Sequence, residues 1–132
     1  LRETDGTLVT VECDPSLADA ARKNLARAGL SDLADVKTGE AGRMVRQLKG
    51  PFDMILQDSD KALYVDLIEP CLALLRPGGL LVADDTMFKP RGIPEKFSEP
   101  VHRYNRAVFD DPRLYSTILP IGDGVTLSVK RS

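Results

Sequence analysis

FDMILQDSDKALY (residues 52–64) runs from an apolar stretch into three charges within four positions, Asp58, Asp60 and Lys61. Phe52 to Gln57 is short, mostly apolar and preceded by Gly50-Pro51, as a buried strand would be. Charges at the end of such a strand are costly unless they stay wet, pair with each other or hold something. Moving outward, LRPGGLLVADD (75–85) repeats the pattern. Arg76-Pro77-Gly78-Gly79 breaks a helix, Leu80 to Ala83 reads as strand, and Asp84 and Asp85 end it. Between the two strands, spacing predicts a helix from about Lys61 to Leu75, with Tyr64, Ile68, Cys71 or Leu72, and Leu75 on one face. A strand–helix–strand crossover of this kind commonly sets its two strands side by side.

The alternation extends along the chain. Leu8 to Glu12 is a short β-branched strand, and Asp14-Pro15 supplies an N-cap with proline at the first helical position. Leu17, Ala21, Leu25 and Ala28 follow at helical spacing and Gly29 ends the helix. Leu33 to Lys37 is a second strand and residues 39–50 a short helix. Residues 90–100 read as a proline-rich, charged loop and 101–110 as a short helix. Residues 114–121 and 125–130 form a closing antiparallel hairpin around Gly122-Asp123-Gly124. The expected fold is α/β: a mostly parallel sheet covered on both faces, with a C-terminal antiparallel hairpin. Such sheets bind ligands at the carboxyl ends of their strands, which singles out Glu12, Glu40, Asp58, Asp84 and Asp85.

At 132 residues the chain fits one domain, 1–132. A net charge of -2 provides no basic field for nucleic acid, although a local patch could still hold a tRNA. No apolar run approaches the ~20 residues of a membrane span. Cys13 and Cys71 lie far apart with no CxxC, so a reduced, cytoplasmic compartment is the default reading, with both thiols as core fillers. The opening LRETDGTLVTVE reads as the tail of a helix or loop, and the chain is expected to be the carboxyl-terminal part of a longer protein.

Neighbouring strands lie about 4.8 Å apart, so Asp58 and Asp84 at equivalent heights can reach one cation, with Asp85 as a third oxygen donor. All-oxygen ligation suits Mg²⁺, Mn²⁺ or Ca²⁺ rather than zinc. Lys61, one helical turn beyond Asp58, can return its amine to the same mouth. The competing reading is local: Asp58, Ser59 and Asp60 cap the following helix, and Asp84-Asp85 starts a loop. Glu12, ending a strand before a helix, suits the two hydroxyls of a ribose or is simply a solvated strand end. Glu40 either flanks an adenine or favours the start of its helix.

VTVECDP (9–15), TGEA (38–41), FDMILQDSDKALY, LRPGGLLVADDTMF (75–88) and LPIGDGVTLSVK (119–130) together resemble the cation-dependent O-methyltransferases, the S-adenosylmethionine-dependent group that includes catechol and caffeoyl-CoA O-methyltransferases and bacterial relatives. The resemblance implies a Rossmann-like class I methyltransferase fold, an aromatic hydroxyl substrate and a homodimer. It further implies that Glu12 binds the cofactor ribose, that Glu40 and Ala41 border the adenine, and that Asp58, Asp84 and Asp85 hold the metal. Lys61 corresponds to the proposed general base, Asp58 also contacts the cofactor, Asp60 lies near the cofactor or substrate, and Lys89 falls at a substrate-loop position. The sequence departs from the family twice. Asp85 stands where Asn is usual, and the first strand with its glycine-rich cofactor turn is absent. Without that strand, the strands at Leu8 and Phe52 should keep unpaired ladder groups, at about 1–3 kcal/mol for each one buried. The alternatives are a truncated, non-catalytic binding or assembly protein and a tRNA hydroxyuridine O-methyltransferase.

Overall fold

The computed structural model describes every residue from Leu1 to Ser132 and divides into two compact units, Leu1–Gln47 and Leu48–Ser132. In the first unit, strand β1 (Leu8–Glu12) pairs in parallel with β2 (Ala34–Thr38), Glu12 opposite Thr38. Helix α1 (Pro15–Arg27) connects them. Asp14 caps it as expected, accepting from the backbone N–H of Ser16 and of Leu17, and Pro15 fills the first position, where no donor is needed. The short helix α2 (Ala41–Met44) follows β2 and passes into a 3-10 turn at Val45–Gln47.

The second unit is a four-stranded sheet. Strand β3 (Phe52–Gln57) pairs in parallel with β4 (Leu75–Ala83), and β4 pairs antiparallel with β6 (Val125–Lys130), which in turn pairs with β5 (Leu114–Leu119), giving the order β3-β4-β6-β5. The crossover between β3 and β4 departs from a single helix over 61–75. It is a 3-10 turn at Lys61–Leu63, further turns, and then helix α3 (Ile68–Leu74). Pro70 accounts for this: inside a longer helix its ring would clash with the carbonyl of Asp66, so the helix starts late enough to hold Pro70 in its first turn. Arg76-Pro77-Gly78-Gly79 does not interrupt β4; it forms the irregular segment by which the register passes from Phe52↔Leu75 to Met54↔Leu80.

Helix α4 (Glu95–Asp110) begins well before the expected start at 101. Pro94 immediately precedes it, and Ser98, Val101, Tyr104 and Val108 form a buried stripe at helical spacing. Three prolines in eleven residues made this stretch read as loop, yet only Pro100 lies inside the helix, where one ladder donor is lost.

Helices α3 and α4 cover one face of the four-stranded sheet. Ile68, Leu72, Tyr104 and Val108 pack there with Tyr64, Ala83 and Leu114. The opposite face differs from the covered sheet expected: Met54 and Leu56 are 58% and 59% exposed, with Tyr115 and Val129 exposed beyond them. β1 pairs only with β2, and β3 only with β4. Each keeps one free edge.

Candidate functional site

β3 and β4 run side by side with Gln57 opposite Ala83, so Asp58 and Asp84 leave the sheet at the same end and height. Asp84 N–H donates to the Gln57 carbonyl at 3.1 Å, which closes the ladder there. Successive strand residues normally face opposite ways, so Asp84 and Asp85 would ordinarily diverge. Asp85 instead has φ 57, in the left-handed region that Asp tolerates better than most side chains. That turn brings both carboxylates to one side. One oxygen each from Asp58, Asp84 and Asp85 lies within 4.8 Å of the others.

The residues after Asp85 are held on several sides. Thr86 and Met87 N–H donate to the carbonyls of Gly124 and Asp123 at 2.9 and 2.7 Å, and Asn105 of α4 donates its amide to the Thr86 carbonyl at 2.7 Å. Gly124 permits the close approach. It has φ +92, and a Cβ there would lie 2.3 Å from Met87 Cγ and 2.8 Å from Met87 N. Asp85 therefore sits on a rigid mount.

Lys61 enters the cluster from the first turn after β3. Its ammonium donates to Asp58 Oδ1 at 3.1 Å and to Tyr64 Oη at 2.8 Å, and lies 3.3 Å from Asp85 Oδ2. Burial disfavours its charge, but the bonds to Tyr64, Asp58 and Asp85 outweigh that and raise its pKa above lysine's ordinary value. Lys61 is thus a cation here. To accept a proton it must first lose the carboxylates that stabilise its charge.

The other expected residues are placed as follows. Asp60 accepts from Ala62 N–H at 3.0 Å and caps the 3-10 turn, as the local reading proposed. Lys89 is exposed, 3.6 Å from Glu99, and lines an open cavity of about 610 Å³ with Thr86, His102, Arg106 and Phe109. In the first unit, Glu12 and Glu40 follow the same end of the paired strands. Glu12 Oε1 accepts from Asp14 N–H at 2.8 Å, while Glu40 caps α2 through Gly42 and Arg43 N–H at 2.6 and 2.8 Å. Ala41 is the first residue of α2. Glu40 thus favours the start of its helix, the local one of its two readings.

Tyr64 is the residue that sequence reasoning undervalued as helix-face packing. Its ring is fully buried, 5.3 Å from the Tyr104 ring, but its hydroxyl reaches the ends of β3 and β4 and accepts from Lys61. The three-residue spacing from Lys61 was the available signal.

A family model described as O-methyltransferase matches residues 2–131, nearly the whole chain. The chain belongs to this O-methyltransferase family. Among the family's proteins, the catechol O-methyltransferase of Niastella koreensis is 36% identical over an alignment covering 95% of this chain and 62% of that protein. For caffeoyl-CoA O-methyltransferase 1 of Eucalyptus globulus the identity is 28%, covering 93% and 56%. The crystal structure of the O-methyltransferase from Bacillus cereus in complex with SAH superposes with a TM-score of 0.83 at 28% identity, over 96% of this chain and 63% of that one. The fold is accordingly that of the class I methyltransferases, and the chain spans roughly three-fifths of the length of these relatives. No helix is long and apolar enough to cross a membrane.

Proposed function

We propose that this chain carries the acceptor-side machinery of a cation-dependent O-methyltransferase that moves a methyl group from S-adenosylmethionine to a hydroxyl oxygen of a small aromatic substrate. The observation that carries the proposal is the convergence of Asp58, Asp84 and Asp85 with Lys61 at the carboxyl ends of two adjacent parallel strands.

The donor set fits a hard divalent cation. Its three carboxylates lie close enough to chelate one ion whose oxygen ligands stand at roughly 2.0–2.6 Å. Each pair of like charges, no more than 4.8 Å apart, repels by at least about 3 kcal/mol at an effective dielectric of 20. One ammonium offsets part of this; a divalent ion offsets more. When bound, the cofactor supplies an electrophilic methyl on a sulfonium sulfur and the cation lowers the pKa of the acceptor hydroxyl. Mg²⁺ is the expected ion, and Mn²⁺ or Ca²⁺ share the ligand preference.

The chain's own residues divide the remaining work. Asp58, Asp84 and Asp85 fix where the acceptor oxygen is held. Lys61, with Asp58 and Asp85 drawn toward the cation, would lose the contacts that hold its charge, release its own proton to solvent, and as the neutral amine take the hydroxyl proton through its Nζ. Lys89 lies on the acceptor side. In the first unit, Glu12 keeps its second carboxylate oxygen free for the ribose hydroxyls, and the Glu40–Ala41 helix start borders the adenine; Asp60 is assigned to the cofactor side. A cytoplasmic homodimer completes the proposal.

The test uses the intact protein with S-adenosylmethionine and a catechol. Methylated product should appear with Mg²⁺, vanish with EDTA and return with Mg²⁺ or Mn²⁺. Undiminished turnover in EDTA would overturn the cation's role.

A further inference from the structure

Tyr64 Oη stands at the junction of everything that positions the site. It donates to the Gln57 carbonyl at 2.8 Å and lies 3.2 Å from the Asp84 carbonyl. Those carbonyls belong to the last residue of β3 and the first residue beyond β4, so one phenol spans the two strand ends that present Asp58 and Asp84. On its other side the same oxygen accepts from Lys61.

The ammonium has three protons and three partners: Tyr64, Asp58 and Asp85. Two of these are the carboxylates assigned to a cation. When an ion takes their oxygens, the tyrosine is the partner that stays, because its ring is locked in the core against Tyr104 and is fully buried. The neighbouring Tyr104 hydroxyl is buried with no partner at all, so hydroxyl burial alone does not create this arrangement.

We propose that Tyr64 is a positioning residue, whose hydroxyl sets the spacing of the Asp58 and Asp84 strand ends and tethers the Lys61 ammonium at the mouth when a divalent cation claims Asp58 and Asp85. The tether during turnover rests on the O-methyltransferase reading above; the bond from Lys61 to Tyr64 does not.

The test compares the intact protein with Tyr64→Phe, and with Tyr104→Phe as a control that removes an unpartnered hydroxyl from the same aromatic pair. The first readout is nitrogen-15 NMR of the Lys61 ammonium at low temperature, without and with saturating Mg²⁺. The second is the split between kcat and KM for a catechol. In the parent and Tyr104→Phe, the Lys61 signal should stay protected from exchange in both conditions. In Tyr64→Phe it should weaken without Mg²⁺ and disappear with it, while kcat falls tenfold or more and KM changes less than twofold. A protected Lys61 signal in Mg²⁺-saturated Tyr64→Phe, or an unchanged kcat, overturns the proposal. Should Mg²⁺ leave the parent's Asp58, Asp84 and Asp85 resonances unmoved, the cation reading falls instead. Tyr64 is then judged on the cation-free spectra, where loss of protection supports its role and retention overturns it. If Tyr64→Phe does not fold, a cross-relaxation peak in the parent between the Lys61 ammonium and the Tyr64 ring decides in the same way.

Discussion

Replacing Lys61 with methionine should do two things of opposite sign, and their combination identifies what the lysine does. Without divalent ions, the ammonium is the counter-charge of the carboxylate cluster. Lys61→Met removes its contacts at 2.8, 3.1 and 3.3 Å and leaves three acids facing one another. Charge-assisted hydrogen bonds contribute about 1.5–3 kcal/mol each when buried. Here the Asp58 side chain is 58% exposed, so solvent screening reduces the total to about 1–2 kcal/mol of lost stability. With divalent ions, the same ammonium is a competitor. A divalent ion and an ammonium about 4 Å apart repel by about 2 kcal/mol even at the dielectric of water, and by about 1 kcal/mol if the lysine retreats to about 8 Å. Removing it should therefore tighten Mg²⁺ by about 5- to 30-fold.

The assay is isothermal titration with Mg²⁺ alongside urea unfolding in EDTA. The expected pattern is a variant less stable in EDTA, a tighter Mg²⁺ isotherm, and methyl transfer lower than the parent's despite fuller occupancy. Weaker or unchanged Mg²⁺ binding in Lys61→Met would refute the idea that the cation and the ammonium compete for Asp58 and Asp85.

Asp85→Asn keeps a side chain suited to the left-handed backbone at φ 57 while removing one charge; stability in EDTA should rise by up to about 1 kcal/mol, Mg²⁺ affinity should fall, and turnover at saturating Mg²⁺ should exceed the parent's if the extra carboxylate weakens oxyanion stabilisation, which steady-state kinetics checks. Gly124→Ala puts a Cβ 2.3 Å from Met87 Cγ in a left-handed conformation and should cost about 2–3 kcal/mol in urea unfolding, with looser cation binding because the mount of Asp85 moves. Hydrogen bonds from Arg113 hold the carboxyls of Asp111 and Glu69 below their ordinary range. Their stabilisation is present above the unfolded values near 4 and is lost as pH falls through the depressed folded values, so the stability gap between the parent and Arg113→Met should be flat above about pH 5 and close below it. Burial pushes the Cys71 thiol up to about 12; iodoacetamide at pH 8 should label the exposed Cys13 and spare Cys71 until the protein is unfolded, as mass spectrometry would show.

Where local rules and tertiary packing agreed, the sequence was legible. The Asp14-Pro15 start of α1, the apolar strands at 8–12 and 52–57, and the Gly122–Gly124 hairpin all appear because capping, β-propensity and turn chemistry pointed the same way. It was less legible where one residue acted through a distant neighbour. Pro70 decided where α3 begins only once the crossover had to pack on the sheet. The stripe Ser98, Val101, Tyr104 and Val108 outweighed three prolines that read as loop. The carboxylate cluster was legible because strand adjacency is a topological rule, whereas the rigid loop beneath it depends on Gly124 and Asn105, which are far away in sequence.

Asp85 shows how the backbone and the chemistry depend on each other. An ordinary strand continuation would send two adjacent aspartates to opposite faces of the sheet, leaving Asp58 and Asp84 as the only pair. The left-handed turn, fixed by hydrogen bonds from Thr86 and Met87 to the Asp123–Gly124 turn, converts that alternation into convergence. Conformational strain of this kind costs on the order of 1 kcal/mol or more and persists only when surrounding bonds over-determine it. Here the hairpin turn and α4 supply those bonds, so the third oxygen donor comes from the way the C-terminal hairpin docks on β4. Loosening the hairpin turn should therefore weaken cation binding without changing any carboxylate.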